Sequence, residues 1–274
     1  MRELSIAVFV GAFERNEYSP DAVIDTFDIY RVECSSNLKF EWIVKILYYL
    51  TCMFLVFREA VAAQPSAFYS QASQDAFVYT LLYCMENEDD DRYYLEIGAA
   101  DPIITSNTYF FEKKLDWKGV SIEIDSRYQK AWTKERSNSL IVNDATKINY
   151  SLLLQSFPRV IDYLSLDVDE CYDVVLNQIP FDQHIFKIIT IEHDFYRFGS
   201  KYRDAEREIL TSLGYYLLCP DVSYPHVGSF EDWWIHPIGF SEETFKKLMA
   251  LDLKEKYHDE IILILLSIKP EFLH

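Results

Sequence analysis

The residues of this chain best suited to chemistry are acids, and they recur at the ends of short apolar runs. Tyr94-Leu95-Glu96-Ile97 stops at Gly98-Ala99-Ala100-Asp101. Gly119-Val120-Ser121-Ile122 stops at Glu123, with Asp125 two residues on. Ser139-Leu140-Ile141-Val142 runs into Asn143-Asp144-Ala145. Ile161 to Leu166 runs into Asp167-Val168-Asp169-Glu170, and Lys187 to Ile191 into Glu192-His193-Asp194. Carboxylates beside a glycine turn repel a pyrophosphate and suit a cationic or hydroxyl-rich ligand. The G-x-G-x-x-G pattern of dinucleotide enzymes is absent, since Ala100 and Ile103 stand where glycines are required. An acid one helix and one strand beyond such a turn, here Glu123, typically accepts hydrogen bonds from ribose hydroxyls. Asp167, Asp169 and His193 can take a proton from a hydroxyl, the task of a general base. Asp169 has a second reading as a helix cap. Glu192 is a candidate substrate contact. Trp234 fits either strand packing or a sugar-stacking platform.

These residues need elements that bring loop ends together. Five apolar runs ending in polar residues predict strands whose carboxyl ends form one polar rim. The stretches between them read as helices: Asn107–Leu115, Arg127–Arg136, Cys171–Gln178 and Tyr202–Leu213, the last stopping at Gly214. Tyr215–Cys219 and Glu231–His236 read as two further strands. Such alternation implies a mainly parallel, twisted α/β sheet with helices on both faces. Ligands of these sheets bind outside the carboxyl ends of the strands. Residues 69–240 carry this pattern. Residues 241–274 read as a helical C-terminal segment, and residues 1–68 as an N-terminal extension.

The ordered set of pieces resembles the FkbM-type S-adenosylmethionine-dependent methyltransferases. The matching pieces are Glu96 to Asp101, Ser106-Asn107-Thr108, Trp117-Lys118-Gly119 with Ile122-Glu123, and Asp162 to Val168. Ile191-Glu192-His193, Leu213-Gly214-Tyr215 and Glu231-Asp232-Trp233-Trp234 complete it. The resemblance implies a Rossmann-like class I methyltransferase fold and O-methylation of a sugar, glycan or small-metabolite hydroxyl. It implies S-adenosylmethionine held by Glu96, Gly98, Ala99, Asp101, Glu123, Asn143, Asp144 and Ala145, with no metal ligands assigned. It also places Asp167 and Asp169 beside the transferred methyl group. Pro102 and Asp169-Glu170 depart from the family pattern, which normally has a glycine after the aspartate and glutamate-glycine at the second place. Those departures support an alternative, a non-catalytic methyltransferase-like binding protein. A nucleotide-dependent oxidoreductase is a second alternative, opposed by the missing phosphate-binding glycines.

Composition narrows the field. The chain has 274 residues, 50% of them hydrophobic, with 20 Tyr and 19 Phe, enough for a sizeable core. A net charge of −18 argues against nonspecific nucleic-acid binding, which needs lysine and arginine to release counterions. Cys34, Cys52, Cys84, Cys171 and Cys219 are scattered with no C-x-x-C pair, which opposes a zinc cluster or a disulfide framework. Ile46–Phe57 is apolar but short for a span of roughly 20 residues. With Trp42 to Val44 it fits a core helix, a membrane anchor, or the core of a secretory signal preceding Ala60-Val61-Ala62-Ala63. Cellular location follows whichever of these holds.

Overall fold

Strand order explains how acids far apart in sequence reach one edge. The computed structural model describes residues 5–15, 23–33, 68–86 and 91–268. The chain divides into two units, Met1–Ala63 and Gln64–His274. In the first, β1 (Ser5–Arg15) and β2 (Val23–Glu33) pair antiparallel, with Ser5 opposite Glu33. The apolar 42–57 stretch lies outside the described residues, as does most of the acidic run before the next strand. Among the described residues no helix is long and apolar enough to cross a membrane.

The second unit carries a seven-stranded sheet. Its strands are β3 (Tyr93–Ile97), β4 (Lys118–Glu123), β5 (Ser139–Val142), β6 (Val160–Leu166), β7 (Ile185–Glu192), β8 (Tyr216–Tyr224) and β9 (Gly228–Ile235). The spatial order is β5-β4-β3-β6-β7-β9-β8. The first five in sequence are mutually parallel, and β9 runs antiparallel to both β7 and β8. This is a Rossmann-like, mainly parallel α/β architecture, with one reversed strand slotted between β7 and β8. The order changes direction between β3 and β6, so a crevice opens there at the carboxyl edge.

Helices cover both faces. They are α1 (Gln74–Tyr79), which runs into a π-helical turn at Thr80–Met85, α2 (Tyr109–Leu115), α3 (Gln129–Glu135), α4 (Tyr150–Leu153) and α5 (Tyr172–Gln178). After them come α6 (Phe195–Phe198), α7 (Ser200–Ser212), α8 (Glu242–Met249) and α9 (His258–Ser267). Side chains alternate across a strand, and the two cores divide accordingly. Tyr94, Tyr163, Ile188 and Trp233 pack with Phe77 and Leu81 and with Leu248, Ile261 and Leu265 of the last two helices. Leu95, Leu164, Ile189 and Trp234 pack with Val175, Leu176 and Leu210 on the other face. The C-terminal helices therefore belong to the first of these cores. Phe77 meets Trp233 at a ring separation of 4.4 Å. Full burial of each large apolar side chain stabilises by roughly 1.5–3 kcal/mol, so α1 is bound firmly to the sheet.

Candidate functional site

The crevice is built on Gly98. Its φ is +82°, and a Cβ there would lie 1.5 Å from the carbonyl oxygen of Asp167. Only glycine permits this approach of the β3 and β6 ends. The Gly98 and Ala99 amides donate to the Ile122 carbonyl at 2.9 and 3.1 Å, and the Asp167 amide to Ile97 at 2.8 Å. Ala100 is left-handed too, at φ 47°, an arrangement that costs a residue with a Cβ of order 1 kcal/mol or more. Glu123 holds it there: one carboxylate oxygen accepts from the Ala100 amide at 2.8 Å, the other from Asp125 at 2.7 Å. Glu123 thus fastens the glycine turn to the end of β4. Asp101 caps its own loop, accepting from the Ile103 and Ile104 amides at 2.9 and 2.8 Å.

Just past β5, the exposed Asn143 side chain accepts from the Asp144 amide. Asp144 accepts from the Thr146 amide and hydroxyl and from Lys147. The Thr146 and Lys147 hydrogen bonds hold its carboxyl down at about 2. Ala145 packs beside the second core. The residues that sequence assigned to one cofactor thus lie along the adjacent ends of β3, β4 and β5, with one exception of direction. Glu96 points into the sheet face, accepts from Thr108 (2.8 Å) and Ser121 (2.7 Å), and is 2% exposed. Burial raises its pKa, against the lowering pull of Arg136.

Arg136 has no counterpart in the sequence reading. Its side chain is wholly buried, and all five N–H groups are used. Nε donates to Glu112, one terminal nitrogen to Pro102 O (3.1 Å) and Ser106 (3.2 Å), and the other to Tyr94 (2.9 Å) and Thr108 (2.7 Å). It ties the loop after β3 to α2 and the end of α3. The sequence signal was slight: one arginine ending a helix.

Alternation decides the remaining candidates. Glu192 lies opposite Glu231 in the β7–β9 ladder, on the face that carries Thr190 and Trp233. The Asp167 and Glu192 carboxyls are hydrogen-bonded to each other. Burial raises both pKa values, and the Asp167 carboxylate raises that of Glu192 further, so the pair retains a proton where isolated carboxylates would not. Burial also pushes Glu231 up to about 8. Asp167, Glu192 and Glu231 therefore form a row along one face. A cavity of about 40 Å³ opens beside it, lined by Gln71, Gln74, Glu96, Asn107, Asp167 and Phe230 among others.

His193 points to the opposite face. It is fully buried, with Nε2 3.6 Å from Asp232 and 3.9 Å from Asp221. Those three place donor atoms within 4.8 Å of one another. Both carboxylates, however, already take arginine: Arg207 at 2.6 Å to Asp232 and 3.0 Å to Asp221, and Arg203 at 2.9 Å to Asp221. The two arginines balance the two aspartates, and the cluster needs no cation. Consecutive residues Glu192 and His193 are thus not brought together, for the same reason that Trp233 and Trp234 enter different cores. Trp234 is 1% exposed and packed in the second core, so it offers no ring face to a sugar. Asp169 stands in solvent, 83% exposed, and pairs with Arg197 at 2.8 Å.

No protein-family model matches the chain, and no curated protein matches it in sequence, so no comparison singles out the FkbM family. Solved structures that resemble it include fibrillarin from Aeropyrum pernix with natively bound S-adenosyl-L-methionine. That likeness has 13% identity and a TM-score of 0.42, and covers 62% of this chain and 76% of that one. A putative rRNA methylase from Clostridium thermocellum has 10% identity and a TM-score of 0.43, covering 64% and 98%. Spermidine synthase from Thermotoga maritima has 11% identity and a TM-score of 0.41, covering 74% and 73%. Likeness of this degree assigns neither reaction nor substrate.

Proposed function

We propose that this protein is an S-adenosylmethionine-dependent methyltransferase acting on a hydroxyl of a sugar, glycan or small metabolite. The observation that carries the reading is the junction at the switch in strand order, where Gly98 is pressed against Asp167 and latched by Glu123. The Gly98–Ala100 turn, Glu123 and Asn143–Ala145 would hold the cofactor, whose sulfonium supplies an electrophilic methyl group. The donor set fits it: carboxylates for hydroxyls and a positive charge, with no cluster of amides for a pyrophosphate.

The chain's own part is positioning and proton handling. Asp167 follows the end of β6 and Glu192 ends β7, and burial raises both carboxyls. A carboxyl whose pKa is raised toward neutrality is a better base for a hydroxyl than an ordinary carboxylate. His193, on the far face, acts on this site only through the backbone it anchors. A second reading, the non-catalytic binding protein, is favoured by Pro102 and Asp169-Glu170, where the chain departs from the family pattern. Calorimetric titration with S-adenosylhomocysteine separates the two, because an enzyme binds it and a scaffold that has lost the cofactor does not. Once an acceptor is known, Asp167→Asn should leave that affinity nearly unchanged and cut turnover about 10²-fold or more. Parental turnover in the mutant removes Asp167 as the base.

A further inference from the structure

The turn assigned to the cofactor has no amide to spare. Those of Gly98 and Ala99 both go to the Ile122 carbonyl, and that of Ala100 goes to Glu123. A cavity of about 40 Å³ lies against these three residues, bounded also by Glu96, Thr105, Asn107 and Asp167. That is room for a small polar group. Most of this wall is already engaged. Glu96 accepts from Thr108 and Ser121, Thr105 donates its hydroxyl to the Ile104 carbonyl, and the Asp167 carboxyl is bonded to Glu192. Asn107 is the exception. It gives its amide N–H to the Ser165 hydroxyl at 2.9 Å, and its Oδ1 is buried with no partner among the described residues. The Ser165 hydroxyl has a single proton and donates it to Tyr163, two residues back on the same face of β6. Ser165 must therefore accept from Asn107, which fixes Oδ1 as the amide atom left over. A buried acceptor without a donor is costly, so the cavity calls for a donor that the chain does not supply.

We propose that Asn107 binds the α-ammonium group of S-adenosylmethionine through Oδ1, and so makes the cofactor's amino group a requirement for tight binding. The inference rests on the methyltransferase reading. The entering group belongs to the cofactor because Gly98, Ala99 and Ala100 form one side of the cavity. Of the cofactor's two small charged ends, the carboxylate needs donors, and the turn has used all three of its amides. The ammonium brings three donors and no acceptor, and it meets Oδ1 beside the acid Glu96. An amide carbonyl suits this place, because it accepts the hydrogen bond without adding a further buried charge to a wall that already holds Glu96 and Asp167.

The test is calorimetry on the full chain near neutral pH with two titrants. One is S-adenosylhomocysteine, and the other is the analogue in which hydrogen replaces its α-amino group. The parent should bind S-adenosylhomocysteine at least about tenfold tighter than the analogue, the worth of one charged hydrogen bond. Asn107→Leu, checked for folding by circular dichroism, should bind S-adenosylhomocysteine about tenfold more weakly and the analogue as the parent does. Asn107→Ala takes its place if the leucine variant does not fold. A residue that only shaped the turn would weaken both titrants alike. The proposal falls if the parent binds the two alike, since water then satisfies Oδ1, or if the variant keeps the parent's preference. A parent that binds S-adenosylhomocysteine without preference loses this inference and keeps the methyltransferase reading, whereas a parent that binds neither titrant loses both.

Discussion

Gly98 and Glu231 show how single residues set this site. At Gly98 there is no room and no relaxed conformation for a Cβ, because the Asp167 carbonyl lies 1.5 Å from where it would be. Gly98→Ala should cost at least about 2 kcal/mol, from left-handed strain together with a forced parting of β3 and β6. Denaturant midpoints measure it, and an unchanged midpoint would mean that the two loops do not touch. Glu231 is pushed the other way, to about 8, above an unfolded value of about 4.3. Between those values the folded chain holds a proton that the unfolded chain has lost. Stability therefore falls as pH rises from about 5 to about 8, with Asp167 and Glu192 adding in the same direction. Glu231→Gln should flatten the slope, by up to about 1.4 kcal/mol per pH unit. Midpoints of chemical unfolding against pH test the sign, and a wild-type stability that rises across this window contradicts it.

Elements matter here through what joins them. Arg136 binds the loop after β3, α2 and the end of α3 with every donor it has. Its aliphatic stem packs as well, and its guanidinium lies 4.3 Å from the centre of the Trp132 ring. Arg136→Met keeps the volume and removes the charge. It leaves Glu112 buried without its arginine and the Pro102 carbonyl without a donor, so the expected loss is about 3–5 kcal/mol. Arg136→Lys should recover little of it, since one ammonium cannot reach five acceptors in a plane. Unfolding curves of the two variants decide this, and a stable methionine variant would show the network to be dispensable. The same loop reaches the segment before α1, where Ser70 bridges Thr105 and Asp75 accepts from the Tyr69 amide at 2.6 Å. The cavity wall is therefore built from segments that sequence places far apart.

The second unit, Gln64–His274, contains both cores and all the candidate site residues. A chain beginning at Gln64 should unfold cooperatively and bind S-adenosylhomocysteine with the affinity of the whole protein. Aggregation, or an affinity more than about tenfold weaker, a difference of about 1.4 kcal/mol, would show that the first 63 residues contribute to the fold of the second. The last two helices cannot be removed in the same way, because Leu248, Leu253, Ile261 and Leu265 are buried in the core shared with Phe77 and Trp233.

Sequence alone determined the α/β class, the strands of the second unit, and the string of acids at their ends, because apolar runs, turn residues and spacing are local signals. Glu96, Gly98, Glu123, Asp144, Asp167 and Glu192 were all legible in that way. Tertiary structure decided which of them lie together. Side chains of adjacent residues leave a strand on opposite faces, so Glu192 joins Asp167 while His193 joins Asp221 and Asp232 across the sheet. Glu231 enters the row only because β9 runs backward beside β7, a pairing between residues some forty positions apart that no local pattern encodes. Arg136 became central only when α2, α3 and the loop after β3 closed around it, since a buried guanidinium is defined by partners that are distant in sequence.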